Sequence, residues 1–189
     1  ETRIGHFVDN LDGTVTDTRT GLMWMCFVEG QSWSNGHCYG QANRFTLDQA
    51  KALSRDFAGY HDWRLPTIDE LQSIIEKSRS NPAFDPAVFP GFEKASHLFW
   101  TSSASSGVSA GQAEPWYVSF YSGTSYRGDP QSRNSVRLVR NTESSPKKVL
   151  NTSPELAVIA SQRIAPADAT EWIGSDLLLD IERTVRPSA

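Results

Sequence analysis

Two cysteines, four histidines and a run rich in tyrosine, serine and arginine are the side chains of this 189-residue chain that invite a chemical reading. Cys26 and Cys38 bracket a short polar loop from Phe27 to His37. Zinc takes four nitrogen or sulfur ligands, and His37 alone beside two thiols does not complete the set, so no metal is expected. The pair reads as a disulfide across the loop, with two free thiols in a reducing compartment as the alternative. A bridge would contribute roughly 3 kcal/mol on the chain-entropy account and would place the protein outside the cytosol. Asp9, Asp12 and Asp17 offer the oxygens calcium prefers, but they lack the alternating acidic positions and distal Glu of a calcium loop, so turn chemistry is expected of them. His6, His37, His61 and His97 accompany no Gly-x-Ser-x-Gly elbow or other nucleophile signature. No catalytic residue and no cofactor is expected, and the chain reads as a non-enzyme.

The tyrosine-rich run carries a different chemistry. Trp116-Tyr117-Val118-Ser119-Phe120-Tyr121 alternates strictly, so a strand here would send Trp116, Val118 and Phe120 to the core and display Tyr117, Ser119 and Tyr121. Through residue 135 the composition stays close to that of antibody loops, where Tyr supplies rigid amphipathic contact area and Ser and Gly supply adaptable hydrogen bonding. The candidate ligand-binding residues are Tyr117, Ser119, Tyr121, Ser122, Ser125, Tyr126, Arg127, Asp129, Gln131 and Arg133. Counting Arg127, Arg133, Arg137 and Arg140 against Asp129, residues 117–142 carry +3, whereas the preceding 116 residues carry −5. A locally basic face on an acidic protein favours an acidic glycan or an acidic protein patch, with Arg137 and Arg140 also open to structural roles. The net charge of −4 and pI near 5.6 argue against nucleic acid, whose phosphates call for a basic surface. No apolar run approaches the roughly 18–20 residues of a membrane helix.

Several elements must position these residues. Residues 4–25 read as two strands joined by the Asp12-Gly13 turn, then a second turn at Thr18–Gly21 and a third strand, Leu22–Met25. Thr46-Leu47-Asp48-Gln49 and Thr67-Ile68-Asp69-Glu70 each carry a capping Thr with Gln or Glu three residues on, which predicts helices from Leu47 to about Ala58 and from Ile68 to about Lys77. Gly59 stands where a left-handed C-cap would close the first. Between them, Tyr60-His61-Asp62-Trp63-Arg64-Leu65-Pro66 forms a rigid corner fixed by hydrogen bonds of Asp62 and Arg64. The Pro-punctuated stretch from Asn81 to Phe92 reads as a loop whose Phe84, Val88, Phe89 and Phe92 fold back onto the core. Residues 97–102 and 135–140 read as strands. Trp24, Trp63, Arg64, Trp100 and Trp116 are the expected structural set.

Taken together, Asp12-Gly13-Thr14-Val15-Thr16-Asp17, Thr20-Gly21-Leu22-Met23-Trp24, Gly59 to Thr67, Glu70-Leu71-Gln72-Ser73-Ile74, Phe99-Trp100-Thr101-Ser102-Ser103 and Val136-Arg137-Leu138-Val139-Arg140 resemble the bacterial Lcl (Legionella collagen-like) C-terminal-domain family over about residues 4–141. Cys26 and Cys38 also sit where many members carry a cysteine pair. The resemblance implies an α+β fold of the C-type-lectin-like or formylglycine-generating-enzyme-like kind, with two helices, a small antiparallel sheet and long loops. It implies an exported module at the cell surface, in the periplasm or outside the cell, acting as an adhesin or receptor toward a protein or acidic glycan on a cell or host surface. Some members resemble the variable proteins of diversity-generating retroelements. The corresponding positions here are Tyr117, Ser119, Tyr121, Ser122, Thr124, Ser125, Tyr126, Arg127, Gly128, Asp129, Gln131, Ser132, Arg133 and Ser135.

Beyond Asn141 the composition changes to that of a linker, so residues 1–141 are expected to form the binding domain and 142–189 a linker with a helical tail. Two tail helices are expected, one starting at Ser153-Pro154-Glu155 and one from Asp176 to about Arg186. Their apolar stripe would pack on the same domain or on a partner chain, the latter giving a homo-oligomer and an alternative role as the assembly module of a surface structure. A formylglycine-generating type of enzyme is the third reading. It would need redox-active or copper-binding cysteines in its groove, and Cys26 and Cys38 lie in an early loop.

Overall fold

Short strands joined by tight turns account for most of the regular structure in the computed structural model, which describes residues 2–105 and 114–143. The first sheet contains β1 (Thr2–Ile4), β2 (Phe7–Asp9), β3 (Thr14–Asp17) and β4 (Leu22–Met25) as an antiparallel meander. Its turns are built by the aspartates. Asp9 Oδ1 accepts from the Leu11 N–H at 2.8 Å, Asp12 Oδ1 from the Thr14 N–H and hydroxyl at 3.1 and 2.6 Å, and Asp17 Oδ1 from the Arg19 N–H at 2.9 Å. Carboxylates that satisfy backbone donors two residues on are turn makers, as the sequence predicts of these three.

The loop between the cysteines is itself a hairpin, β5 (Ser32–Ser34) with β6 (His37–Tyr39), closed by Asn35-Gly36 with φ of 50° and 77°. That pair of positive φ values is the turn Asn-Gly favours. Both predicted helices exist with complete capping boxes: α1 (Leu47–Lys51) under Thr46 and Gln49, and α2 (Ile68–Ser73) under Thr67 and Glu70. Both are shorter than predicted. After α1, Arg55 is drawn to Glu29 at 3.0 Å and lies over the Phe27 ring, and Phe57 and Tyr60 exchange backbone hydrogen bonds around Ala58-Gly59. Gly59 does adopt positive φ, at 82°, but as half of that reverse turn and not as a helix cap. Tertiary contacts here override helix propensity. After α2, the Glu76 N–H already bonds to Ala83 O at 2.9 Å.

The third sheet is β7 (Leu98–Ala104), β8 (Pro115–Ser119) and β9 (Thr124–Arg127), in that order. The last strand, β10 (Val139–Asn141), returns to the first sheet and pairs antiparallel with β4, Val139 opposite Trp24. The buried run from Asn134 to Arg140 is a spine that stitches the parts together. Asn134 exchanges hydrogen bonds with Phe45, Ser135 with Leu98 and Trp100, and Val139 with Arg64, while Val136 and Leu138 accept from Glu29 and Met25. Among the described residues, three sheets and two short helices make a mixed α+β architecture dominated by strand.

The spine runs through the core, to which it contributes Val136, Leu138 and Val139. Trp24 and Trp100 are fully buried, Trp63 nearly so, and the predicted loop aromatics Phe84, Phe89 and Phe92 fold in as expected. The Phe84 ring meets Phe89, Phe92 and Phe120 edge to face at 5.6, 5.1 and 4.9 Å, the arrangement aromatic quadrupoles prefer. No helix among the described residues is long and apolar enough to cross a membrane. The expected tail helices lie outside the described residues.

Candidate functional site

β9 is the edge of its sheet, and its register on β8 sets what the edge presents. Trp116 faces Arg127, Tyr117 faces Tyr126, Val118 faces Ser125 and Ser119 faces Thr124. Residues directly opposite share a face. Accordingly Tyr117 and Tyr126 stack at 5.8 Å between ring centroids, and the Arg127 guanidinium lies over the Trp116 ring at 5.5 Å. Tyr117 rests edge-on against buried Trp100 at 6.0 Å, so the exposed pair is anchored to the core. Gly128 makes room for this packing: a Cβ there would lie 2.5 Å from Tyr117 Cε1.

Most of the predicted ligand-binding residues reach the surface. Tyr121, Ser122, Tyr126, Arg127, Asp129, Gln131 and Arg133 are exposed, with Tyr121 at 57% and Tyr126 at 44%, and Tyr117 and Ser125 are half-buried. Two positions depart from the expected display. Ser119 is buried, because it sits on the central strand between Leu98 and Thr124 and its carbonyl accepts the Gly123 N–H at the turn. Ser135 is fully buried in the spine, where its hydroxyl accepts the Ser96 N–H at 2.9 Å. Trp116, expected in the core, is half-buried with its ring under Arg127.

The expected charge of the face also changes. Arg137 and Arg140 are fully buried and belong to the scaffold. Arg137 Nη1 donates to the carbonyls of Met25 and Cys26 at 3.0 and 2.6 Å, and its guanidinium lies over the Phe89 ring at 4.7 Å. Desolvation lowers its pKa from 12.5 to about 10, still a cation at neutral pH. Arg140 forks onto Asp62, Nε to Oδ1 at 2.7 Å and Nη2 to Oδ2 at 3.2 Å, over the Tyr60 ring at 3.8 Å. The Arg140 hydrogen bond holds the Asp62 carboxyl below its ordinary pKa of 3.8. On the displayed face this leaves Arg127 and Arg133 against Asp129, and Arg127 is partly engaged by Glu114 at 3.6 Å.

The corner behind the face is fixed as the sequence predicts. Arg64 forks onto Glu70 at 2.7 and 2.6 Å and donates to Asn141 Oδ1 at 2.8 Å, while Trp63 Nε1 donates to Phe57 O at 3.1 Å. His61 instead stands outside it, in an exposed contact with Asp56 at 2.6 Å. The expected disulfide is not formed, and both cysteines are free thiols. Cys26, directly after β4, is buried, and desolvation pushes its pKa up to about 12. Cys38 stands on β6 with its Sγ 3.2 Å from Gln31 Oε1.

Three residues around the face were outside the sequence-based set. Gln72 on α2 donates to the Ser125 hydroxyl at 2.6 Å, the His97 ring meets Tyr121 edge to face at 5.7 Å, and Glu114 faces Arg127. Gln72 lies 53 positions from its partner, so no local spacing announces it. The arrangement offers flat aromatic area, hydroxyls and a guanidinium on an anchored edge, which suits contact with a ligand.

A family model described as the Lcl C-terminal domain matches residues 13–140. No curated protein and no solved structure matches the chain.

Proposed function

The chain belongs to the Lcl C-terminal domain family, and from that premise we propose that it is a non-enzymatic ligand-binding module that recognises its target with the edge around β9 and the loop to Arg133. The observation that carries this reading is the stacked Tyr117–Tyr126 pair, half in solvent and braced from behind by Trp100. Aromatic side chains held in place before binding lose little conformational entropy when a ligand arrives, which is why such residues dominate recognition surfaces. The exposed residues Tyr121, Ser122, Gln131 and Arg133 extend the same surface. In this reading the protein is exported and works as an adhesin or receptor toward a protein or acidic glycan, on a C-type-lectin-like scaffold. All the candidate variable positions except Ser119 and Ser135 reach the surface, which supports diversification of this stretch by a retroelement.

The test is a screen of the full chain on glycan and protein arrays, followed by Tyr121→Ala and Tyr126→Ala. Both variants are expected to lose the array ligand while melting within about 2 °C of wild type, since neither side chain is buried. Tyr117 is a poor choice for this purpose because it packs on Trp100. Retained binding in both variants would refute the assignment of the face. A reverse-transcriptase gene beside the coding sequence, with a template repeat matching the codons for residues 116–140, is the separate expectation for diversification.

A further inference from the structure

Beside the proposed face, an open groove of about 800 Å³ runs between the start of α1 and the loop that carries Arg133. Its floor is apolar at Phe45, Leu53 and Ala52 and polar at Asn43 and Gln49, and two arginines flank it, Arg44 and Arg133. Both are exposed, and among the described residues neither has an ion-pair or hydrogen-bond partner. Unpaired guanidiniums flanking a partly apolar floor, on a chain of net charge −4, form a local field opposite to that of the whole protein.

The walls are held together by the main chain. Phe45 and Asn134 exchange backbone hydrogen bonds at 2.9 and 3.0 Å, the Leu47 N–H reaches Pro130 O at 3.0 Å, and Trp100 Nε1 donates to Phe45 O at 2.7 Å. These contacts also decide what the groove can accept. The N–H groups of Phe45 and Leu47 are already bonded, and that of Gln49 faces the Thr46 hydroxyl. With those backbone donors taken, the strongest donors left for an anion are the two guanidinium forks, whose geometry matches carboxylates, beside the side-chain amides of Asn43 and Gln49. Leu53 and Ala52 beside the half-buried Phe45 ring make a mixed aliphatic and aromatic floor that can take the apolar side chain of a peptide.

We propose that this groove binds an acidic peptide segment, with carboxylates on Arg44 and Arg133 and an aliphatic side chain on Phe45 and Leu53. The inference rests on the recognition reading, adds Arg44, Phe45 and Leu53 to the surface, and names its partner class.

The experiment uses the full chain and three labelled octapeptides, Glu-Glu-Leu-Glu-Glu-Leu-Glu-Glu, the same with Gln for Glu, and the same with Ala for Leu, read by fluorescence anisotropy at low and high salt. The first is expected to bind and to weaken with salt, and the other two to bind less tightly. Arg44→Glu and Arg133→Glu should each weaken it roughly tenfold, the scale of losing one charge-assisted contact. Arg44→Gln and Ala52→Asp, both at exposed positions, provide variants that keep the fold. No binding of the first peptide, equal binding of all three, or affinity unchanged by Arg44→Glu would overturn the proposal. Binding of a sulfated polysaccharide without the peptide would overturn the peptide assignment. The two readings fail separately: an array ligand lost on Tyr126→Ala but indifferent to Arg44→Glu, with no peptide binding, sinks only the groove. An array ligand retained in both Tyr121→Ala and Tyr126→Ala sinks the β9 face.

Discussion

Replacing Asp62 by Asn deletes one charge from the pair that fastens β10 to the helical corner, and its cost follows from the geometry. The Arg140 side chain has no solvent exposure, whereas Asp62 is 28% exposed. Removing one partner of a fully buried ion pair costs about 3–5 kcal/mol, because a desolvated charge loses its compensation. Here water reaches the carboxylate side and the guanidinium keeps the Tyr60 ring at 3.8 Å, which brings the expected loss to about 2–3 kcal/mol. For a domain of this size that is a fall in Tm of roughly 5–10 °C. The assay is thermal denaturation by circular dichroism across a pH series. Asp62 is depressed in the folded protein, so the unfolded chain takes up the proton first on acidification. Its contribution is complete above the ordinary carboxylate value of 3.8 and disappears as pH falls through the lower folded value. Asn is the isostere of the protonated acid, so the gap between variant and wild type should close at the acidic end. A variant within 2 °C of wild type at pH 7, or a gap that persists undiminished below the folded value, would refute the reasoning.

Three further outcomes are expected. Gly128→Ala should cost about 1–2 kcal/mol and change the near-UV dichroism, since the new Cβ would stand 2.5 Å from Tyr117 Cε1 and push the ring off Trp100. Gly30→Ala should cost at least about 2 kcal/mol in a urea melt, because φ there is +96° and the added methyl would overlap the Asn43 backbone nitrogen. Cys26, with its thiol pushed up to about 12, should resist iodoacetamide at pH 8 in the native protein and react on unfolding; labelling followed by mass spectrometry checks it, and fast native labelling contradicts the burial.

What could be read from the sequence was mostly local. Capping boxes, the Asp12-Gly13 turn and the inward loop phenylalanines depend on residues a few positions apart, and all appear in the structure. The Asn35-Gly36 hairpin was equally legible, its turn pair flanked by Ser34 and His37, but the loop between the cysteines masks it. Helix lengths failed where partners distant in sequence took over, as Glu29 does with Arg55. For Arg137 and Arg140 the sequence left displayed and structural roles both open, for a related reason, and the structure selects the structural one. A charged residue in a strand pattern is normally placed outside, and only the Met25 and Cys26 carbonyls, 112 and 111 positions away, make a buried site for Arg137. Arg44 and Arg133 likewise become neighbours only through the Phe45–Asn134 bridge.

The return of β10 to β4 bears on how the domain carries mechanical load. A tug on the chain beyond Asn141 reaches a strand of only three residues, which by itself would peel from Leu22, Met23 and Trp24 one pair at a time. Two side-chain rivets stand in the way, Arg64 gripping Asn141 and Arg140 gripping Asp62, and both tie the strand to the corner that precedes α2. Force entering at that end is thereby shared with the helix junction, so the strand pairs and the two side-chain grips bear it together.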